Sequence, residues 1–157
     1  MGQKGTQRVR EALAAAGVDV HVQTLPTSTR TAREAAETIG CTVSEIAKSL
    51  VFKGRESDKI VLAIMCGTNR AEIGKLSALA GETVKQADPN FVKAVTGFAI
   101  GGVPPVGLSG EISIYLDEDL LQFATIWAAA GGPHDVFSIA PQTLIEVSGA
   151  TVASLKE

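Results

Sequence analysis

The sequence predicts one α/β domain, a mixed sheet with helices packed around it. Three observations point there. Short apolar or alternating segments are interleaved with segments of helical periodicity, as layered α/β folds require. The 157 residues fit the roughly 100–200 residues of a single domain. No repeat, low-complexity tract or linker-like stretch divides them, so residues 1–157 are taken as one unit.

The elements follow in chain order. Val9, Leu13 and Ala16 recur at helical spacing, predicting a helix over 6–16 that Gly17 terminates. Residues 18–25 alternate apolar and polar positions and predict a strand. Thr31 caps a helix over 32–39, with Glu34 three residues on completing a capping box and Gly40 ending it. Residues 44–47 predict a short turn or helical stub. Residues 48–53 and 59–65 predict paired strands joined by a hairpin loop over 54–58. A helix over 71–80 is stopped by Gly81, and 83–86 forms a short strand. Asp88 as N-cap with Pro89 in first position opens the next helix. Residues 112–116, 125–127 and 136–139 are further strands, and Pro141 to Gly149 bounds the last helix.

Composition excludes several classes. At 45% hydrophobic and 20% charged, the chain builds a core and is not disordered. A net charge of −3 excludes a generally basic nucleic-acid coat but not a local basic patch. Residues 1–85 carry twelve Lys/Arg against nine Asp/Glu, and 86–157 carry two against eight. An anionic partner is therefore expected on the N-terminal half. The longest apolar run, 60–66, falls short of the ~20 residues that span a bilayer. The N-terminus shows no apolar signal region, so a cytoplasmic location is expected. Cys41 and Cys66 form no CxxC pair and His21 and His134 lie far from them, so no metal site is expected, only two free thiols.

Three segments carry possible chemistry. Lys48 opens an apolar strand, where it either anchors an anion or carbonyl or covers apolar surface with its stem. Residues 96–107, Thr-Gly-Phe-Ala-Ile-Gly-Gly-Val-Pro-Pro-Val-Gly, combine glycines that expose backbone N–H groups with prolines that freeze the path. Such a loop either grips a small polar group or is a structural crossover; its spacing is not a nucleotide-binding GxGxxG. Residues 128–135, Ala-Ala-Ala-Gly-Gly-Pro-His-Asp, suit a shallow pocket wall. His134 beside Asp135 suggests acid–base work, the alternative being a surface histidine, since strand neighbours point apart. No nucleophile elbow or cysteine–histidine signature is present.

Together these segments, with Thr31-Ala-Arg-Glu-Ala-Ala-Glu37 and Ile46-Ala-Lys-Ser-Leu-Val-Phe52, resemble the YbaK / prolyl-tRNA synthetase editing-domain family, the aminoacyl-tRNA deacylases. The likeness runs from about Thr24 to Gly149. It implies a mixed, mostly antiparallel sheet surrounded by helices, and hydrolysis of the ester of mischarged tRNA, chiefly tRNA for proline. It implies no metal and no organic cofactor. Lys48 matches the family lysine, and Gly101 and Pro105 match its GxxxP loop. The catalytic set expected is thus Lys48 with the backbone N–H groups of Gly101 and Gly102 on the developing oxyanion. Ser49, Val103, Pro105, Ala129 and His134 are expected to bind substrate. Arg30, Arg33, Lys53 and Arg55 are expected to meet tRNA phosphates. With no synthetase body in this sequence, a trans-acting editor is expected, with prolyl-tRNA synthetase as a possible partner and neither DNA nor membrane.

Two departures bear on the substrate. Where the cysteine-specific branch carries serine and aspartate, this sequence has Ala129 and Val136, which counts against cysteine. Pro104 stands where serine is common. The competing readings are a non-catalytic domain that binds tRNA or an aminoacyl end, and a generic α/β domain whose Gly/Pro loop is purely structural.

Overall fold

A computed structural model describes residues 2–26, 31–99, 102–108, 111–132 and 134–157. Among the described residues five α-helices surround eight strands, so the predicted fold class holds. The helices are α1 (Gly2–Ala15), α2 (Ala32–Ile39), α3 (Ile73–Ala80), α4 (Pro89–Thr96) and α5 (Pro141–Ser148). The strands are β1 (Val22–Thr24), β2 (Ile46–Gly54), β3 (Ile60–Cys66), β4 (Val84–Gln86), β5 (Ile112–Asp117), β6 (Ile126–Ala129), β7 (Asp135–Ile139) and β8 (Thr151–Ala153).

Local chemistry sets most boundaries. The Thr31 hydroxyl accepts the Glu34 N–H at 3.1 Å, and Asp88 accepts the Phe91 N–H at 2.9 Å, so both predicted N-caps form. Gly40, Gly81, Gly97 and Gly149 end four helices in the left-handed region. Helix α3 starts at Ile73 rather than 71 because the Glu72 carboxylate accepts the Gly74 and Lys75 N–H groups. The predicted stub is a 3-10 turn over Val43–Glu45.

Where prediction and structure differ, pairing partners decide. Residues 18–23 do alternate in burial, but only Val22–Thr24 pairs as a strand, with β7. The short β8 carries no apolar pattern and is a strand only because β5 pairs with it in parallel.

The sheet runs β1-β7-β6-β2-β3-β5-β8. The contacts β1–β7, β6–β7, β2–β3 and β2–β4 are antiparallel, and β2–β6, β3–β5 and β5–β8 are parallel. Strand β3 is buried on both faces, as a central strand must be. Leu62 and Ile64 face a main core with Val9, Leu13, Val92, Phe137 and Leu144, whereas Val61, Ala63 and Met65 face Leu76, Val84 and Leu155. A third cluster packs α2, through Ala35 and Ala36, on Ile46.

One edge of β2 is shared. Strand β6 pairs only with Ile46 and Ala47, and β4 only with Phe52–Gly54. Between them the sheet is split, and Lys48 and Ser49 lie in that stretch of β2.

Candidate active site

A cavity of about 490 Å³ opens at the split, within the ~300–1,000 Å³ usual for small-molecule sites. Strand β2 supplies Ile46–Val51, β6 supplies Trp127–Ala129, β7 supplies Val136, and α2 supplies Ala32, Arg33 and Ala35. Val103 closes one wall from the Gly/Pro loop. The side chains are mostly small and apolar. Among the described lining residues, Lys48 and Arg33 carry charge and no carboxylate does.

Lys48 and Ser49 are neighbours on a strand, so their side chains leave opposite faces. Ser49 shares the face of Ala47 and Val51, which belong to the main core. Lys48 shares the face of Leu50 and Phe52. A serine–lysine dyad is therefore not formed. The half-buried Lys48 ammonium donates to the Gly67 carbonyl at 3.4 Å. Burial pushes its pKa below the ordinary lysine value, Arg70 adds to that, and Cys66 and Asp117 push back. Ser49 Oγ is buried and has no hydrogen-bond partner among the described residues.

The carbonyl facing Lys48 is held from behind. Gly67 N–H donates to Ile46 at 2.8 Å, and a side chain at Gly67 would collide with the Val43 carbonyl. The turn that follows hangs on Asp117, which is fully buried. Its carboxylate accepts the Cys66 N–H at 3.1 Å and Asn69 Nδ2 at 2.8 Å. Asp117 thus continues the ladder where β5 leaves β3, since their pairing ends at Ile64 and Leu116. Sequence reading missed Asp117 and Gly67, because nothing local marks a contact 51 residues away.

The Gly/Pro loop is clamped by Arg8 of α1, also unforeseen. Its guanidinium donates to Gly107 O at 2.8 Å and Thr96 O at 3.4 Å, and lies 4.6 Å from the Phe98 ring centre. With Val103 and Val106 buried, the loop is fixed at both ends.

The expected residues divide as follows. Lys48, Ser49, Val103, Ala129 and Arg33 line the cavity. Val136 does too, so both departures from the cysteine-specific pattern fall on its wall. Gly102 N–H is engaged, donating to Ala99 O at 2.9 Å, so it is not the free oxyanion donor expected of it. Pro105 is buried in the loop and is not among the described lining residues. Neither is His134, whose carbonyl accepts the Leu25 N–H at 2.7 Å. Its neighbour Asp135 takes the hydroxyls of Thr6 and Thr24 at 2.9 and 2.6 Å, a structural tie and not an acid–base pair. Lys53 lies at the far end of β2, 3.4 Å from Asp58 and 4.5 Å from the Phe91 ring centre. Arg55 is exposed on the hairpin beyond it. Arg33 is exposed at the cavity and 3.7 Å from Glu37. Gly101 and Arg30 lie outside the described residues.

Both cysteines are free. Among the described residues no three His, Cys, Asp or Glu side chains gather to hold a metal. No helix among them is long and apolar enough to cross a membrane.

A lysine beside a small apolar cavity in a split mixed sheet, bordered by a clamped Gly/Pro loop, is the geometry of a small-molecule site. The family model of the aminoacyl-tRNA editing domain matches residues 27–147, and the chain belongs to that family. It is 38% identical over 126 residues to the uncharacterized protein YwhH of Bacillus subtilis, spanning 80% of each chain. It is 26% identical over 125 residues to EbsC of Enterococcus faecalis, named provisionally as a Cys-tRNA(Pro)/Cys-tRNA(Cys) deacylase, across 79% of this chain and 76% of that one. A crystal structure described provisionally as a trans-editing enzyme for prolyl tRNA synthetase superposes with a TM-score of 0.90 at 46% identity, covering 98% and 97% of the two chains.

Proposed function

We propose that this protein is an aminoacyl-tRNA deacylase acting in trans, which hydrolyses the ester joining a wrong amino acid to tRNA, with tRNA for proline as the carrier. The observation that carries the reading is the cavity at the sheet split, with a half-buried lysine on its wall and small apolar side chains around it. The family membership supports the reaction class. The names of EbsC and of the prolyl trans-editing structure support the proline carrier.

The chemistry asks little of the protein. Water adds to the ester carbonyl, the bond from that carbon to the ribose oxygen breaks, and the ribose oxygen leaves with a proton from the water. The site must hold the ester and stabilise the oxyanion, and one well-placed donor is worth about 100- to 1000-fold. Lys48 would hold the carbonyl or the terminal phosphate. Gly102 N–H is spent within its loop, which leaves the Gly101 N–H and the main chain of the cavity wall as sources of a backbone donor. Ala47, Ala128, Ala129, Val51, Val103 and Val136 suit a small, mainly apolar amino-acid side chain. Pocket size alone discriminates weakly, about 1–3 kcal/mol per methylene.

Arg33 at the cavity would take the phosphate next to the aminoacyl ribose. Arg30, Lys53 and Arg55 would meet the tRNA body, Lys53 lying five strand residues, about 17 Å, from Lys48. Prolyl-tRNA synthetase is the natural partner and the cytoplasm the natural place for such an editor.

The test is a deacylation panel. tRNA for proline carrying alanine, cysteine, serine, threonine or 2-aminobutyrate is mixed with wild type and with Lys48→Ala, beside correctly charged prolyl-tRNA. Loss of one mischarged species with wild type only is the expected result. No hydrolysis with retained tRNA binding would instead identify a non-catalytic binder. Neither binding nor hydrolysis would leave only the fold.

A further inference from the structure

The ladder on β2 singles out one residue that, among the described strands, no neighbour pairs with on the edge away from β3. Gly67 N–H donates to Ile46 O, and Gly54 N–H donates to Lys59 O. In an antiparallel pair the exchanging residues alternate, so the even-numbered residues of β2 bond to β3 and the odd-numbered ones face the opposite edge. On that edge Ala47 is taken by β6 and Lys53 by β4. Val51 O accepts the Ala87 N–H at 3.1 Å. Ser49 is left between them. By this register its main-chain N–H and C=O are directed at the split, where neither β6 nor β4 pairs with it, and its Oγ is a buried hydroxyl without a hydrogen-bond partner among the described residues. Nearly all buried backbone groups in folded proteins are paired, so an open pair in mid-strand beside a cavity calls for a partner.

We propose that the main-chain N–H and C=O of Ser49 hold the aminoacyl group, which enters the split as a single residue of the strand missing between β6 and β4. This rests on the deacylase reading and names the contacts at that site. An α-amino ester carries one donor and one acceptor on either side of its α-carbon, the arrangement a strand residue offers. Its ammonium donates to Ser49 C=O. Its ester carbonyl accepts from Ser49 N–H, which becomes the oxyanion donor that Gly102 cannot be. Directly opposed residues in an antiparallel pair place their side chains on one face. The substrate side chain therefore lies on the face of Ser49, toward Ala47, Val51, Ala128 and Val103. Peptide-binding sheets complete themselves in the same way with longer segments.

The experiment is amide hydrogen exchange by NMR on the full chain, with and without 3′-deoxy-3′-(L-alanylamino)adenosine, whose amide cannot be hydrolysed as the ester is. In the free protein the Ser49 amide exchanges fast while those of Leu50 and Phe52, bonded to β3, exchange slowly. Saturating analogue slows Ser49 selectively. The propionyl counterpart, which lacks the amine, binds about 10- to 100-fold more weakly. Ser49→Ala keeps both main-chain groups and loses no more than about tenfold in affinity.

Three results overturn the proposal: a Ser49 amide already as protected as Leu50, one indifferent to saturating analogue, or no binding of the analogue. Turnover of mischarged tRNA run in parallel separates the two levels. Turnover without Ser49 protection removes this inference and leaves the deacylase. Absence of both turnover and binding removes the deacylase reading, and the inference with it.

Discussion

Asp117→Ala tests how the back of the site supports its front. Asp117 is fully buried, and its carboxylate accepts from Cys66 N–H at 3.1 Å, Asn69 Nδ2 at 2.8 Å and Asp119 N–H at 3.0 Å. Asn69 keeps a second acceptor, Asp119, at 2.8 Å, and the turn at Asp119 is open enough to recruit water. The Cys66 N–H is buried and has no substitute. Leaving such a donor unpaired costs about 1–3 kcal/mol, and losing the charged bonds adds to it, for a total of about 2–5 kcal/mol. In a domain of this size that lowers Tm by roughly 5–15 °C. The turn also carries Gly67, whose carbonyl receives Lys48, and Asp117 is one of the groups that raise the Lys48 pKa. The variant should therefore unfold earlier in urea and titrate Lys48 at still lower pH. Both are measurable, one by circular dichroism and one by the pH profile of deacylation at a temperature where the variant is folded. An unchanged Tm together with an unchanged pH profile would refute the support role.

Three further outcomes are expected. Ser49→Ala deletes a buried hydroxyl that has no partner among the described residues, so urea unfolding should show stability unchanged or raised, by up to about 1–3 kcal/mol; a marked loss would mean that the hydroxyl is bonded after all. Arg8→Ala removes the clamp on the Gly/Pro loop and should cost about 2–4 kcal/mol, from one strong charged hydrogen bond, one long one and a cation–π contact. A loss of kcat/KM larger than the loss of folded protein would show that the loop's position matters to the reaction. Burial, first of all, depresses the Lys48 pKa, so the folded chain sheds that proton before the unfolded one does. Between the depressed value and 10.5 the unfolded state binds more protons, and the Lys48 contribution to stability rises with pH. Unfolding free energies measured across that window should climb more in wild type than in Lys48→Met; parallel curves would exclude the linkage.

Much of this molecule was legible one segment at a time. Thr31 with Glu34, Asp88 with Pro89 and the terminal glycines announce helix ends because caps are satisfied within a few residues. The long apolar run of β3 announces a strand buried on both faces. Lys48, Ser49, Val103 and Ala129 were reachable through motif resemblance, and all four line the cavity.

What the sequence determined by itself was therefore the set of elements, their ends and the family to which they belong. Only the tertiary structure decided which elements lie side by side. The three residues of β8 are a strand because β5 passes them, and residues 18–21 are not one because no strand does. The same selection engages Gly102 N–H in its own loop, turns Asp135 toward Thr6 and Thr24, and brings Asp117 to Cys66. It leaves β2 uncovered at Ser49, between two strands that come from distant parts of the chain. A cap is a bond between near neighbours and is written where it acts. A gap in a sheet is the absence of a neighbour, and that exists only once every other strand has found its place.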